Sequence, residues 1–103
     1  MSAAKFGNVK TEVDGVLFDS KKEARRYVEL KLMVRAGLIR DLECQPKFPI
    51  CVNNVTVSKY IADFQYIENG QTIVEDVKGV QTPIFRLKAK LVKAIYGIEV
   101  RIT

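Results

Sequence analysis

The chain has 103 residues, 48% of them hydrophobic, which is enough for one compact core and too few for two ordinary domains. Its 17 Lys and Arg against 12 Asp and Glu leave a formal charge of +5, a balance that favours a polyanionic partner. Histidine is absent, which excludes His-based nucleases, Ser-His-Asp hydrolases and most zinc enzymes.

The two cysteines, Cys44 and Cys51, have no further Cys or His to complete a zinc tetrahedron and read as small apolar residues of a reduced protein. No apolar run approaches the roughly 20 residues that span a bilayer, and the start MSAAKFGNVK lacks the apolar stretch of a signal peptide. The expected location is the cytoplasm.

Residues 1–10 are small, polar and basic without a sustained period, and are expected to form a flexible basic arm. Asp14-Gly15 between short apolar flanks predicts a small hairpin. A first helix is expected from Asp19-Ser20 to about Ala36, stopped by Gly37, with Ala24, Tyr27, Val28, Leu30, Leu32 and Val34 as a wide apolar face. Lys21, Lys22, Arg25 and Arg26 load its first turns with positive charge, which opposes the helix dipole and so points to a purpose other than helix stability.

Residues 38–57 read as extended, with an Asn53-Asn54 turn and with Pro46 and Pro49 favouring an edge. The clearest hairpin follows, running from Lys59 to Glu68, turning at Asn69-Gly70 and returning from Gln71 to Lys78. Thr82-Pro83 then opens a second helix that runs to about Tyr96 and stops at Gly97. Its expected apolar stripe is Ile84, Leu87, Leu91 and Ile95, with Arg86, Lys90 and Lys93 on another face and Lys88 nearby. Alternating Ile98, Val100 and Ile102 predict a last strand.

A two-residue turn at Asn69-Gly70 makes Glu68 face Gln71, and counting five residues back along each strand places Asp63 opposite Asp76. Facing side chains have Cβ atoms about 4.5–5.5 Å apart, and like charges so placed are destabilising unless a cation or proton lies between them. Lys78 lies two residues beyond Asp76 and so on the same face. Two carboxylates beside an ammonium suit Mg²⁺, with Mn²⁺ as substitute and the Val77 carbonyl as a further oxygen ligand. Such an ion acidifies water and neutralises charge on a phosphate, while Lys78 positions the nucleophile or stabilises the transition state. A surface salt-bridge cluster is the competing interpretation, but apolar neighbours on both sides of the hairpin argue that the acids are buried.

Ile61-Ala62-Asp63-Phe64 followed by Val74-Glu75-Asp76-Val77-Lys78-Gly79 resembles the bipartite motif of the PD-(D/E)XK nucleases, with Ala62 in place of the motif's proline. Glu75 does not compete for the acidic slot, because alternation points it away from Lys78. The resemblance extends from about residue 11 to the end and is similar to that of a group of short phage-encoded proteins of unknown function. It implies one α/β nuclease domain over residues 11–103, with a restriction-endonuclease-like αβββαβ core whose mixed central sheet is flanked by helices. Some members of the wider superfamily are Holliday junction resolvases, restriction endonucleases or transposon end-cutting enzymes.

Many members add an acid from the first helix, a position that Glu23 matches, although Ser20-x-x-Glu23 is equally the pattern of a capping box. Gln45 resembles a residue preceding the motif in the phage group and is either a substrate or water contact or an ordinary loop glutamine. Lys21, Lys22, Arg25, Arg26, Arg86, Lys88, Lys90 and Lys93 fit a role in tracking phosphates. The expectation is a Mg²⁺-dependent endonuclease of branched or structured DNA, like the Holliday junction resolvases, acting as a homodimer because paired cuts need two sites. The alternative is a non-catalytic DNA-binding or host-directed phage protein that retains the fold.

Overall fold

A computed structural model describes residues 9–103, so that most of the expected arm, residues 1–8, lies outside the described residues. The described residues form a mixed α/β domain of two helices, a mixed four-stranded sheet and two hairpin ribbons. The first ribbon pairs β1 (Thr11–Val13) with β2 (Val16–Phe18) around Asp14 and Gly15, both at positive φ as the tight hairpin turn requires.

Helix α1 (Lys21–Arg35) begins where the Ser20 hydroxyl accepts the Glu23 N–H and ends at Ala36, with Gly37 left-handed at φ 76°. It buries only Ala24, Tyr27 and Leu30, a narrow stripe set on the first ribbon and the sheet. Val28 and Leu32 of the expected wide face are exposed, because the elements beneath α1 are broad enough to cover one stripe only. Strand β3 (Arg40–Cys44) follows, bulged near Asp41.

The second ribbon pairs β4 (Lys47–Val52) with β5 (Val55–Ile61), turning at Asn53-Asn54. Here the structure corrects the expected single strand from Lys59 to Glu68. The segment up to Ile61 pairs with β4, and a new strand, β6 (Phe64–Glu68), pairs with β7 (Gln71–Asp76) and β3. Two residues make the switch. The Ala62 N–H donates to the Pro46 carbonyl, whereas the Asp63 N–H donates to Glu75 and its carbonyl accepts from the Gln45 N–H. The bend puts Ala62 in one cluster with Val74, not on the opposite face, and leaves Ile61 exposed.

Helix α2 (Pro83–Tyr96), capped by Thr82 and ended at left-handed Gly97, crosses to β8 (Val100–Ile102), which lies parallel to β7. The sheet order is β3-β6-β7-β8. On one face Phe64, Tyr66 and Val77 pack with α1; on the other Val74 packs with Phe48, Ile50 and Tyr60 of the second ribbon and with α2. No helix among the described residues is long and apolar enough to cross a membrane.

The buried side of α2 is Phe85 and Val92, with Ala89 and, from the expected stripe, Leu91 partly buried beside them; the rest of that stripe, Ile84, Leu87 and Ile95, is exposed. Both stripes recur with helical spacing, and the selection is made by tertiary packing: the Phe85 ring sits 6.1 Å from that of Tyr60. Phe85, 8% exposed, and Leu87, 54% exposed, therefore separate the two readings. Phe85→Ala is expected to cost about 3–5 kcal/mol in chemical denaturation, and Leu87→Ser less than about 0.5 kcal/mol. The reverse order would mean that α2 is rotated.

Candidate metal-binding acid pair

The β6–β7 ladder runs from Glu68↔Gln71 to Phe64↔Glu75, so the next step brings Asp63 against Asp76 at the open end of the hairpin. Both acids then point toward the second ribbon and α2, because Asp76 shares the face of Val74. The negative charge of Asp76 is felt at the Asp63 carboxyl. Asp76 is 1% exposed, and Asp63 is half-buried at the rim.

Each acid is held by a neighbour. Asp63 Oδ2 accepts the Val77 backbone N–H at 2.7 Å, and Asp76 Oδ2 accepts the hydroxyl of the buried Tyr60. Asp76 Oδ1 is buried and has no hydrogen-bond partner among the described residues, a costly state for a carboxylate oxygen. Lys78 Nζ stands 3.8 Å from that oxygen and 4.9 Å from the centre of the Phe85 ring, too far for a hydrogen bond but close enough for its charge to be felt. Sequence spacing places Asp76 and Lys78 together. It does not reveal Tyr60, which an unbroken strand would turn away from Asp63 and which the bend at Ala62-Asp63 turns toward Asp76.

Burial, and then the hydrogen bond and negative charge of Asp76, push the Asp63 carboxyl up to about 8 against the pull of the Val77 N–H. Burial and the charge of Asp19 likewise raise Glu23, against hydrogen bonds at Asp19 and Ser20 and the charge of Lys78. Glu23 takes part in the helix cap and also faces a cleft. Its N–H caps onto Ser20, whose hydroxyl reaches Glu23 Oε1 at 3.4 Å, and it lines a cleft of about 680 Å³ with Lys21, Lys22, Arg25, Val77 and Lys78. It flanks the pair without joining it: among the described residues, no three acidic or cysteine side chains converge into a ready-made metal cage.

Glu75 faces the other way, toward α1, and is fully buried. Arg26 grips it with two hydrogen bonds of 2.6 and 3.0 Å, and the Tyr66 hydroxyl at 2.6 Å and the Thr103 hydroxyl at 3.1 Å complete its shell. Burial alone would raise Glu75, but the hydrogen bonds of Arg26 and Tyr66 and the Arg26 charge hold it below the usual carboxylate range. Arg26, expected among the phosphate contacts, is thus engaged inside the fold by Glu75 and also by Glu29.

The remaining basic residues divide. Lys21, Lys22 and Arg25 are exposed in the Glu23 cleft. Lys88 lines a groove between β5 and α2, whereas Arg86, Lys90 and Lys93 lie along a separate hollow beside β8, where Lys93 pairs with Glu99 at 3.7 Å. Gln45 is exposed; its side chain donates to the Leu17 carbonyl at 3.4 Å, and its N–H is held by Asp63.

Residues 3–103 match a family model described as a protein of unknown function, DUF1064. The chain belongs to the DUF1064 family. No curated protein and no solved structure matches it. DUF1064 membership covers the acid pair, Lys78 and both helices, and supplies no activity.

The raised Asp63 carboxyl gives the metal-free protein a signature. Asp63 titrates near 3.8 in the unfolded chain and about 8 in the folded one, so across that window the folded state holds the extra proton and stability falls as pH rises. The loss is at most about 1.4 kcal/mol per pH unit. Melting curves in chelator from pH 5 to pH 8 are expected to show this decline and Asp63→Asn to flatten it. A melting temperature that rises over that interval, or an equal decline in Asp63→Asn, would contradict the raised Asp63 carboxyl.

Proposed function

We propose that the chain is a Mg²⁺-dependent endonuclease of the PD-(D/E)XK type that hydrolyses phosphodiester bonds in branched or structured DNA. The observation that carries this reading is Asp76 Oδ1, a buried oxygen without a hydrogen-bond partner, set beside a second carboxyl and 3.8 Å from Lys78 Nζ. Such an arrangement is unfavourable alone and becomes favourable with a divalent cation between the acids. Read as a restriction-endonuclease-like αβββαβ core, the fold consists of α1, β3, β6, β7, α2 and β8, with the β4–β5 ribbon as an insertion.

The donor set fits a hard cation. Asp63 and Asp76 would hold Mg²⁺ or Mn²⁺ through carboxylate oxygens, with the Val77 carbonyl and Glu23 as candidates to complete the shell. When bound, the ion supplies an acidified water and neutralises charge on the scissile phosphate. Tyr60 keeps the Asp76 carboxylate from rotating, so that Oδ1 remains the free oxygen. The Val77 N–H does the same for Asp63. Lys78, resting over Phe85, offers its ammonium to the attacking oxygen or to the developing negative charge. Lys21, Lys22 and Arg25 would attract the backbone in a salt-dependent way.

In this reading the enzyme works as a homodimer in the cytoplasm of the host cell, one site for each cut, and the exposed Leu87 and Ile95 on α2 provide apolar surface for the second copy. Cleavage of plasmid and four-way-junction DNA with Mg²⁺ or Mn²⁺ tests it. Wild-type protein is expected to cut, and Asp63→Asn and Lys78→Ala each to lose at least about a hundredfold, the scale on which one transition-state contact acts. Cutting by both variants at the wild-type rate would refute the assignment. No cutting by any form would favour a DNA-binding or host-directed phage protein that keeps the fold.

A further inference from the structure

A groove of about 740 Å³ lies between β5 and the start of α2. Its charged lining is entirely positive, comprising Lys59, Lys78 and Lys88, and Thr56, Ser58 and Thr82 add hydroxyls. The rest of the lining is apolar: Val57, Ile61 and Ile84 are exposed, and Phe85 underlies them. Tyr60 also lines the groove, and its hydroxyl reaches Asp76. Lys78 lines both this groove and the cleft that holds Glu23, Lys21, Lys22 and Arg25, so the two depressions meet at Lys78, whose Nζ stands 3.8 Å from Asp76 Oδ1.

We infer that this groove holds an unpaired DNA strand of the substrate next to the position that is cut. The inference rests on the nuclease reading for its choice of DNA as ligand and adds to it the form of DNA that is recognised. The lysines and hydroxyls match phosphate and sugar oxygens. The valine and isoleucine side chains match a different feature. In a duplex the base faces are stacked inside, and an apolar wall would meet only charged backbone, at a desolvation cost. An unpaired strand presents base faces as well as phosphates, and a groove with cations on some walls and apolar side chains on others satisfies both. The volume, within the roughly 300–1,000 Å³ typical of a ligand pocket, suits a short stretch of one strand. A strand leaving the groove past Lys78, beside Asp76, then enters the Glu23 cleft with its basic rim.

Binding measured in chelator separates recognition from chemistry. The probes are a blunt DNA duplex, the same duplex with a single-stranded arm, and the arm alone. The armed duplex is expected to bind about tenfold more tightly than the blunt one, a difference of about 1.4 kcal/mol. Lys59→Ala combined with Lys88→Ala should remove that preference and reduce the salt dependence for the armed probe by about 1.4 in logarithmic slope, the value for two phosphate contacts on a single strand. Val57→Glu, an exposed position, should weaken the armed probe and leave the blunt one unchanged; melting curves check that each variant is folded. Equal affinity for armed and blunt duplexes, or a preference that survives the lysine replacements, would overturn the inference. Cleavage with Mg²⁺ on the same probes distinguishes the two claims. Cutting without preference for the arm overturns the groove and leaves the nuclease, whereas arm preference without cutting in any metal supports the groove and overturns the nuclease.

Discussion

The architecture turns on one unfavourable contact, the juxtaposition of Asp63 and Asp76 where the chain leaves one ribbon and enters the sheet. Two facing carboxyls, one buried and one half-buried, resist being ionised together without a cation, and the raised Asp63 carboxyl expresses that constraint. The fold supports the contact from several sides. The β6–β7 register sets the facing positions, the Val77 N–H fixes Asp63, and Tyr60, carried in on the β4–β5 ribbon, fixes Asp76.

The opposite face of β7 solves a different problem with the same residue types. Glu75 is as buried as Asp76, yet both of its oxygens are satisfied, by Arg26, Tyr66 and Thr103. That closed network ties α1 to the centre of the sheet and to the end of the chain. Because Glu23 lies one helical turn before Arg26, the same clamp sets where Glu23 stands beside the acid pair. One strand thus carries two adjacent buried acids, one with a full set of donors and one with an oxygen left open. The contrast between them gives Asp76 its significance in the proposed enzyme.

Much of this was legible in the sequence where local rules suffice. Ser20 and Gly37 bound α1, Thr82-Pro83 and Gly97 bound α2, and Asn69-Gly70, both at positive φ, set a register that carries through to the acids. What escaped depends on contacts distant in the chain. The 3.6-residue period fits two stripes of α2, and only the aromatic packing of Phe85 with Tyr60 selects one. The switch at Ala62-Asp63 has no turn residue to announce it, since it arises from Pro46 and Gln45 taking up the backbone groups. Arg26 gave no local sign that its partner would be Glu75, 49 positions along the chain. The Tyr60 contact was hidden for the same reason, because it exists only once the bend has formed.

The central claim is that the open oxygen of Asp76 and the carboxyl of Asp63 together take a divalent cation. A crystal soaked in Mn²⁺ and measured at the manganese absorption edge tests this directly. The account predicts an anomalous peak between the two carboxylates, with Asp76 Oδ1 among the ligands, and no peak there in Asp63→Asn. A saturated crystal of the native chain with no peak between those acids, or with manganese bound elsewhere, would contradict it.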